Sequence, residues 1–321
     1  MRSTVLYAAT ALTLGAGAAA AMPVAENAFG VSLGDNGTTL VTMANLNMPG
    51  ALTGVPITEG GASVALSALA YRPQTGQLYG YSDQRDTVYL VDRTTGAVTA
   101  QVSAPGATDV ETLGFDFNNQ VDAARLVTTS DKNFVFDPKP DPATFTRVND
   151  LAYALGDMFA GKDPNIVGNA YTNAVPNASE TEQYALDSQQ DALVTLANNA
   201  GTLDTVGLLF SDGVALDFGT DGGFDILSFA EGDNSAFALL STVMGEGLYH
   251  LDLFADAMGR VNASLIGAVG GQFGTLDGLA VIPSDDMVAP IPVPASLGLL
   301  AFGLGGLGAA GARRRARRTA A

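Results

Sequence analysis

Short apolar-alternating segments, rather than helical periodicity, fill residues 26–282. They are bounded by Gly, Asn, Asp, Pro and Thr, the residues that end strands and form turns. Four groups of such segments begin 44 to 57 residues apart, at Leu69, Leu113, Ala170 and Gly223. This spacing is typical of the four-stranded blades of a β-propeller. Only residues 150–159 and 188–196 are predicted as short helices.

The two ends of this array hold fragments that together would complete one further group. Three predicted strands at 28–32, 39–42 and 52–56 have no group start, whereas 276–281 is a group start with no strands after it. Pairing these ends would close a ring and remove exposed sheet edges. We therefore predict an all-β fold over residues 22–283, a closed β-propeller of five four-stranded blades. Six blades or an open sandwich remain alternatives.

The N-terminus has the three parts of a secretory signal peptide. Arg2 supplies a short basic region, residues 5–14 supply an apolar core, and Ala19 and Ala21 supply a small-residue cleavage site. We predict a signal peptide over residues 1–21 that is removed on export. An uncleaved membrane anchor is the alternative.

The C-terminus carries a second three-part pattern. A proline-rich linker at 284–295 precedes an uncharged apolar segment at 296–312, which is just long enough to cross a bilayer as a helix. The tail at 313–321 is basic, so the positive-inside bias would retain it in the cytoplasm. The arginines of this tail are Arg313, Arg314, Arg315, Arg317 and Arg318. A permanent single-pass tail anchor is the alternative.

The tail resembles the VPLPA-CTERM sorting signal, a relative of the PEP-CTERM signals of Gram-negative bacteria. The residues that carry the resemblance are Ile291, Pro292, Val293, Pro294 and Ala295, followed by the apolar segment and the arginines. The family sequence V-P-L-P-A is I-P-V-P-A here. The resemblance implies recognition by an exosortase-type enzyme and a precursor held briefly in the inner membrane. The resemblance also implies that the processed protein then reaches the cell surface or the medium, often in bacteria that make exopolysaccharide.

The body of the chain, from Leu66 to Val281, resembles the "domain of unknown function 4394" family. The motifs that carry this resemblance are residues 115–118, 121–122, 170–173, 201–203, 206–207, 223–226 and 247–249, with Tyr184 and Asp187. The departure is at 137–142, where the family has a tighter N-P-x-T-G turn. The resemblance implies a propeller-like exported protein and no particular chemistry.

Charge excludes several classes of function. The chain has 15 Lys and Arg against 33 Asp and Glu, a net charge of −18. Without Arg2 and the five C-terminal arginines, 9 basic residues face 33 acidic ones, so the body carries −24. Such a body repels nucleic acid and anionic membranes. The chain has no Cys, and His250 is its only histidine, which excludes disulfides, thiolate chemistry and multi-histidine metal sites.

Three acids at the starts of separate inner strands are the candidate catalytic residues: Asp116, Asp225 and Asp277. Inner strands of a propeller line its central channel, so these carboxylates could converge and act on a glycosidic bond or bind a cation. The alternative is that each one accepts hydrogen bonds from backbone amides at a strand end. The chain has no Trp, the usual stacking platform for sugars.

A second acidic group lies among glycines. Asp212, Asp217 and Asp221, with Asp225 beyond them, offer oxygen ligands for Ca²⁺, although their spacing matches no EF-hand. A solvated acidic loop is the alternative. His250 lies in an apolar-alternating strand and is predicted to be structural. One G-x-S-x-G sequence occurs, at residues 30–34, but it overlaps the predicted strand at 28–32 and no helix is predicted after it, which disfavours the strand-to-helix turn of a serine hydrolase.

Three functional hypotheses follow. The first is a non-enzymatic exported module that interacts with exopolysaccharide or surface proteins and has no cofactor. The second is a glycan-active enzyme that uses the inner-strand aspartates. The third is an adhesin stabilised by Ca²⁺.

Overall fold

The computed structural model describes residues 27–105 and 113–284. The predicted signal peptide with Ala19 and Ala21, the sorting motif at 291–295, the apolar segment at 296–312 and the arginine-rich tail lie outside these residues. Within the described ranges, no helix is long and apolar enough to cross a membrane.

The described residues form strands and turns, with one 3₁₀ turn, η1, at Asn198–Ala200. The strands in chain order are β1 Ala28–Gly34, β2 Thr39–Met43, β3 Leu52–Pro56, β4 Thr58–Glu59, β5 Ala62–Ser63, β6 Ala68–Arg72, β7 Gln77–Ser82, β8 Thr87–Val91, β9 Val98–Ser103, β10 Leu113–Asn118, β11 Ala123–Thr128, β12 Asn133–Asp137, β13 Thr144–Arg147, β14 Ala152–Tyr153, β15 Ile166–Tyr171, β16 Gln183–Asp187, β17 Ala192–Ala197, β18 Thr202–Ser211, β19 Val214–Ala215, β20 Gly222–Ser228, β21 Asn234–Thr242, β22 Gly245–Leu251, β23 Arg260–Ala268 and β24 Asp277–Pro283. The predicted all-β class is confirmed.

Most strands belong to four-stranded antiparallel groups. We name them sheet I (β24-β1-β2-β3), sheet II (β6 to β9), sheet III (β10 to β13), sheet IV (β15 to β18) and sheet V (β20 to β23). Sheets IV and V are continuous because β18 and β23 pair in parallel. The predicted pairing of the two chain ends is present, with β1 antiparallel to β24 from Ala28↔Pro283 onward.

The innermost strands of the five sheets form a barrel-like ring. Strand β6 contacts β10, β10 contacts β15, β15 contacts β20, β20 contacts β24, and β24 contacts β6. Alternation along these strands directs apolar side chains toward the neighbouring sheets. The described core accordingly consists of five apolar clusters, one between each pair of successive sheets.

Glycines let the inner strands approach at the axis of the ring. A Cβ atom on Gly168 would lie 2.9 Å from the Cβ of Phe224, and one on Gly223 would lie 2.5 Å from the carbonyl carbon of Gly278. A space of only about 10 Å³ lies at the centre, and these four residues make up half of its lining. This volume holds about one water molecule.

Both predicted helices are wrong. Residues 150–159 contain strand β14, because the backbone N–H groups of Ala152 and Ala154 donate to the carbonyl oxygens of Gly201, just before β18, and of Leu203 in β18. Residues 188–196 form a hairpin turn and most of β17. The turn begins where the Asp187 carboxylate accepts the N–H groups of Gln189 and Gln190.

Candidate functional site

Two of the three predicted catalytic aspartates are buried structural acceptors. One oxygen of Asp116 accepts the backbone N–H of Tyr171 on β15 at 2.7 Å. The carboxylate of Asp225 accepts the N–H of Ile226 at 2.7 Å and that of Val281 on β24 at 2.5 Å. Each aspartate therefore fastens its own inner strand to the next one. Both residues lie inside their strands, not at strand starts as predicted, and they accept N–H groups of a neighbouring strand in place of amides at their own strand ends.

Asp116 and Asp225 lie close enough to influence each other. Burial raises the pKa of Asp116 well above its ordinary value, and the charge of Asp225 raises it further. Burial also raises the pKa of Asp225 to about 7. The space at the axis that is lined by Gly114, Phe115, Gly223 and Phe224 has a volume of only about 10 Å³, which is too small to hold a sugar ring.

Asp277 belongs to a different environment. One of its oxygens accepts the N–H of Gly222 at 3.3 Å, and burial together with the charge of Asp221 raises its pKa to about 6. Glu246 is the other acid beside it; burial raises the pKa of Glu246 to about 7, with smaller contributions from Asp277 and Asp221. The structure therefore does not bring the three predicted aspartates into one site.

The predicted calcium ligands do not form a site in the described part of the chain. Asp212, Asp217 and Asp221 are all exposed. Among the residues that the structure describes, no three His, Asp or Glu side chains are grouped so that they could hold a metal ion.

A large open cleft of about 910 Å³ lies between sheets IV and V. We call it the IV–V cleft. Carboxylates at its wall come from loops far apart in the sequence: Glu180, Glu182, Glu231 and Asp252. The aromatic side chain of Phe254 also lines the cleft, and the residue is 77% exposed. Sequence reasoning missed this site, since strand patterns do not reveal which loops meet.

Hydrogen bonds between two loops stiffen one wall of the IV–V cleft. The N–H of Asn173 donates to Asn234 Oδ1 at 2.7 Å, and Asn173 Oδ1 accepts the N–H of Gly232 at 2.8 Å. The Ser179 hydroxyl donates to Glu231 Oε2 at 2.8 Å. Hydrogen bonds from Ser179 lower the pKa of Glu231, which keeps this carboxylate charged.

His250 of β22 also lines the IV–V cleft. Its ring meets Phe237 edge-on, with centroids 5.8 Å apart, and its Nδ1 has no hydrogen-bond partner. Burial lowers the pKa of His250, although the charge of Asp252 opposes this. A neutral imidazole at neutral pH follows from these two influences.

The family described as Domain of unknown function (DUF4394) matches residues 39–280. The chain belongs to this family. The match spans parts or all of the strands from β2 to β24, and therefore both walls of the IV–V cleft. No curated protein matches the chain significantly.

Several solved structures match the chain at low identity and with TM-scores below 0.5. A gluconolactonase from Xanthomonas campestris is 13% identical with a TM-score of 0.43, covering 81% of this chain and 88% of that one. A nidogen/laminin complex is 11% identical with a TM-score of 0.41, and the match covers 81% of this chain and 86% of that one. An auxiliary nutrient binding protein from Bacteroides ovatus is 11% identical with a TM-score of 0.40, and the match covers 65% of this chain and 55% of that one. These TM-scores carry no functional argument.

Proposed function

We propose that this DUF4394 protein is a non-enzymatic binding module built on a five-bladed β-propeller. Sheets I to V are the blades, and sheet I is completed by both ends of the chain. The cyclic contacts of the inner strands and the five intervening apolar clusters support this architecture. A propeller presents loops at its two faces, which suits binding.

The IV–V cleft is the single observation that carries the proposed activity. Its volume of about 910 Å³ lies within the range of ligand sites. The carboxylates at its wall accept hydrogen bonds from hydroxyl groups, and the exposed ring of Phe254 can pack on the C–H face of a sugar. The ligand class that this lining favours is a neutral, hydroxyl-rich chain such as an exopolysaccharide.

Binding can be measured by titrating the secreted protein with purified exopolysaccharide from the producing cells. Replacing Phe254 by Ala should weaken binding by about two- to tenfold, because one stacked ring contributes about 0.5–1.5 kcal/mol. Met244→Ala is the matched control, since Met244 is 91% exposed but does not line the IV–V cleft. Equal affinities for wild type and Phe254→Ala would contradict the site, and release of reducing ends would contradict the non-enzymatic role.

Export and sorting complete the proposal. The signal peptide would direct the chain out of the cytoplasm, and an exosortase-type enzyme would act near Pro292 to Ala295 while the apolar segment tethers the precursor to the inner membrane. Mass spectrometry of the protein from medium and envelope tests both ends. Recovery of full-length chain from the cytoplasm alone would contradict export.

A further inference from the structure

A buried arginine lies between sheets III and IV. Arg125 is in β11, and only 5% of the residue is exposed. Its guanidinium donates to Asn133 Oδ1 at 2.9 Å, to Asn199 Oδ1 at 2.8 Å and to the Tyr171 hydroxyl at 3.5 Å. All three acceptors are uncharged. A guanidinium has five N–H donors, so two have no protein acceptor in the described part of the chain.

The positive charge of Arg125 is not balanced by a described carboxylate. Asp116 is its directly paired residue on β10, so both side chains start on the same face of sheet III. The Asp116 carboxylate nevertheless accepts the Tyr171 N–H, and it forms no ion pair with Arg125. Burial also favours the neutral form of Asp116. A buried cation without a counter-charge is costly, and a bound anion would remove this cost.

Space for such an anion lies directly beside Arg125. An open cavity of about 350 Å³ is lined by the arginine, by apolar side chains of sheet III, and by amides. The amide side chains are Asn118, Gln120, Asn198 and Asn199. The Gln183 residue behind Tyr171 is 2% exposed, and its Nε2 group has no partner. We call this cavity the Arg125 pocket.

We propose that the Arg125 pocket binds the carboxylate of a small hydroxylated acid, of which a hexuronate is the simplest sugar example. The free guanidinium N–H groups would hold the carboxylate, the amides would bind hydroxyl groups, and Val121 and Val135 would contact the ring carbons. One guanidinium balances one negative charge, whereas a phosphate dianion would leave a charge uncompensated in a body of net negative charge. This site differs from the IV–V cleft in place and in charge.

Calorimetric titration of the secreted protein with glucuronate, galacturonate, glucose, inorganic phosphate and sulfate tests the proposal. At least one uronate should bind, and glucose should bind at least about tenfold more weakly because it lacks the charge. Arg125→Lys keeps the charge but loses the planar fork, so uronate affinity should fall about tenfold. Arg147→Lys is the control, because Arg147 is exposed and paired with Asp150; it should bind as wild type does.

Circular dichroism and melting separate ligand binding from a purely structural role of Arg125. If Arg125→Lys does not fold, Asn199→Ala serves instead, because Asn199 is exposed and touches the guanidinium; a several-fold loss of uronate affinity is expected. Three outcomes overturn the proposal: no uronate binding to the folded wild type, equal binding of glucose and uronates, or tighter binding of phosphate or sulfate than of either uronate. Unchanged affinity in a folded Arg125→Lys variant also overturns it.

Discussion

At the scale of single residues, Asp116 and Asp225 repeat one geometry at two places in the ring. Tyr171, which donates to Asp116, lies three residues after Gly168. Val281, which donates to Asp225, lies three residues after Gly278. The G-F-D sequence in β10 and β20 is therefore a device for fastening one inner strand to the next. Its cost is two carboxyl groups kept out of water.

The buried carboxyl groups predict that the protein is more stable at pH 5 than at pH 8. The pKa values of Asp131 and Asp225 are raised to about 7, and burial is the first cause for each. Between pH 4 and 7 the folded state binds more protons than the unfolded state, so the free energy of unfolding falls as pH rises. Urea titrations at pH 5, 6.5 and 8 measure this.

Two controls accompany the pH series. Work in 0.5 M salt screens repulsion among exposed acids but leaves buried groups largely unaffected. Asp225→Asn cannot titrate, so its pH slope should be shallower than that of the wild type. A free energy of unfolding that rises between pH 5 and pH 8 would refute the prediction.

Three aspartates at the ends of strands make local hydrogen bonds with the turns that follow. The side chains of Asp92, Asp137 and Asp187 accept N–H groups two residues ahead, at 2.8, 2.9 and 2.8 Å. Local hydrogen bonds of this kind depend only on neighbours in the chain. The acceptors Asp116 and Asp225 depend on strands 55 and 56 residues away, which a local pattern does not reveal.

At the scale of elements, an ion pair connects sheets II and III. Arg72 at the end of β6 donates to Asp122 in the β10–β11 turn, at 2.7 and 2.5 Å through two nitrogens. The guanidinium also lies 5.9 Å from the centre of the Phe117 ring. The pair is largely shielded, with side-chain exposures of 11% and 20%.

A double-mutant cycle should measure coupling of about 1–3 kcal/mol between Arg72 and Asp122, since the pair is bidentate and shielded. The variants are Arg72→Ala, Asp122→Ala and both together, compared by urea unfolding. The matched control is Arg147 with Asp150, whose exposures are 52% and 55%; its coupling should be about 0–0.5 kcal/mol. Equal coupling in the two cycles would show that shielding is unimportant here.

The contact of β15 with β20 at the axis predicts a severe effect of one methyl group. Gly168→Ala should lower the free energy of unfolding by about 2 kcal/mol or more, because the added Cβ would lie 2.9 Å from the Cβ of Phe224. Thermal and urea unfolding measure the loss. Gly219→Ala is the control, since its nearest atom would be 3.7 Å away and the change should be small. Similar losses in both variants would contradict a packed axis.

At the scale of the whole molecule, closure depends on β24. Ending the chain after Leu276 removes this strand, exposes the edge of β1 and removes one of the five inner strands. We expect the shortened chain to lose its cooperative unfolding transition and to bind a hydrophobic dye. Ending the chain after Ser284 keeps every described strand and should preserve the wild-type transition. Cooperative unfolding of the shorter chain would contradict closure by β24.

The ring itself could be predicted, whereas the two cavities could not. Regular spacing of strand groups and the unfinished groups at both ends indicate closure, since sheet edges must be paired. The IV–V cleft joins Glu182, Glu231 and Phe254 from three separate loops. The Arg125 pocket joins Arg125 to η1, which is more than 70 residues later. Which residues meet in these cavities depends on how the sheets are arranged around the axis. Strand periodicity contains no information about that arrangement.

The pairing of β1 with β24 also has a mechanical consequence. The described chain begins and ends side by side, where Ser284 donates its N–H to the carbonyl of Asn27 at 2.7 Å. Opposing forces on these two points would break the hydrogen bonds between β1 and β24 one after another, rather than load all of them at once. A load on only one end would not peel the ring, and the domain would hang from a single point.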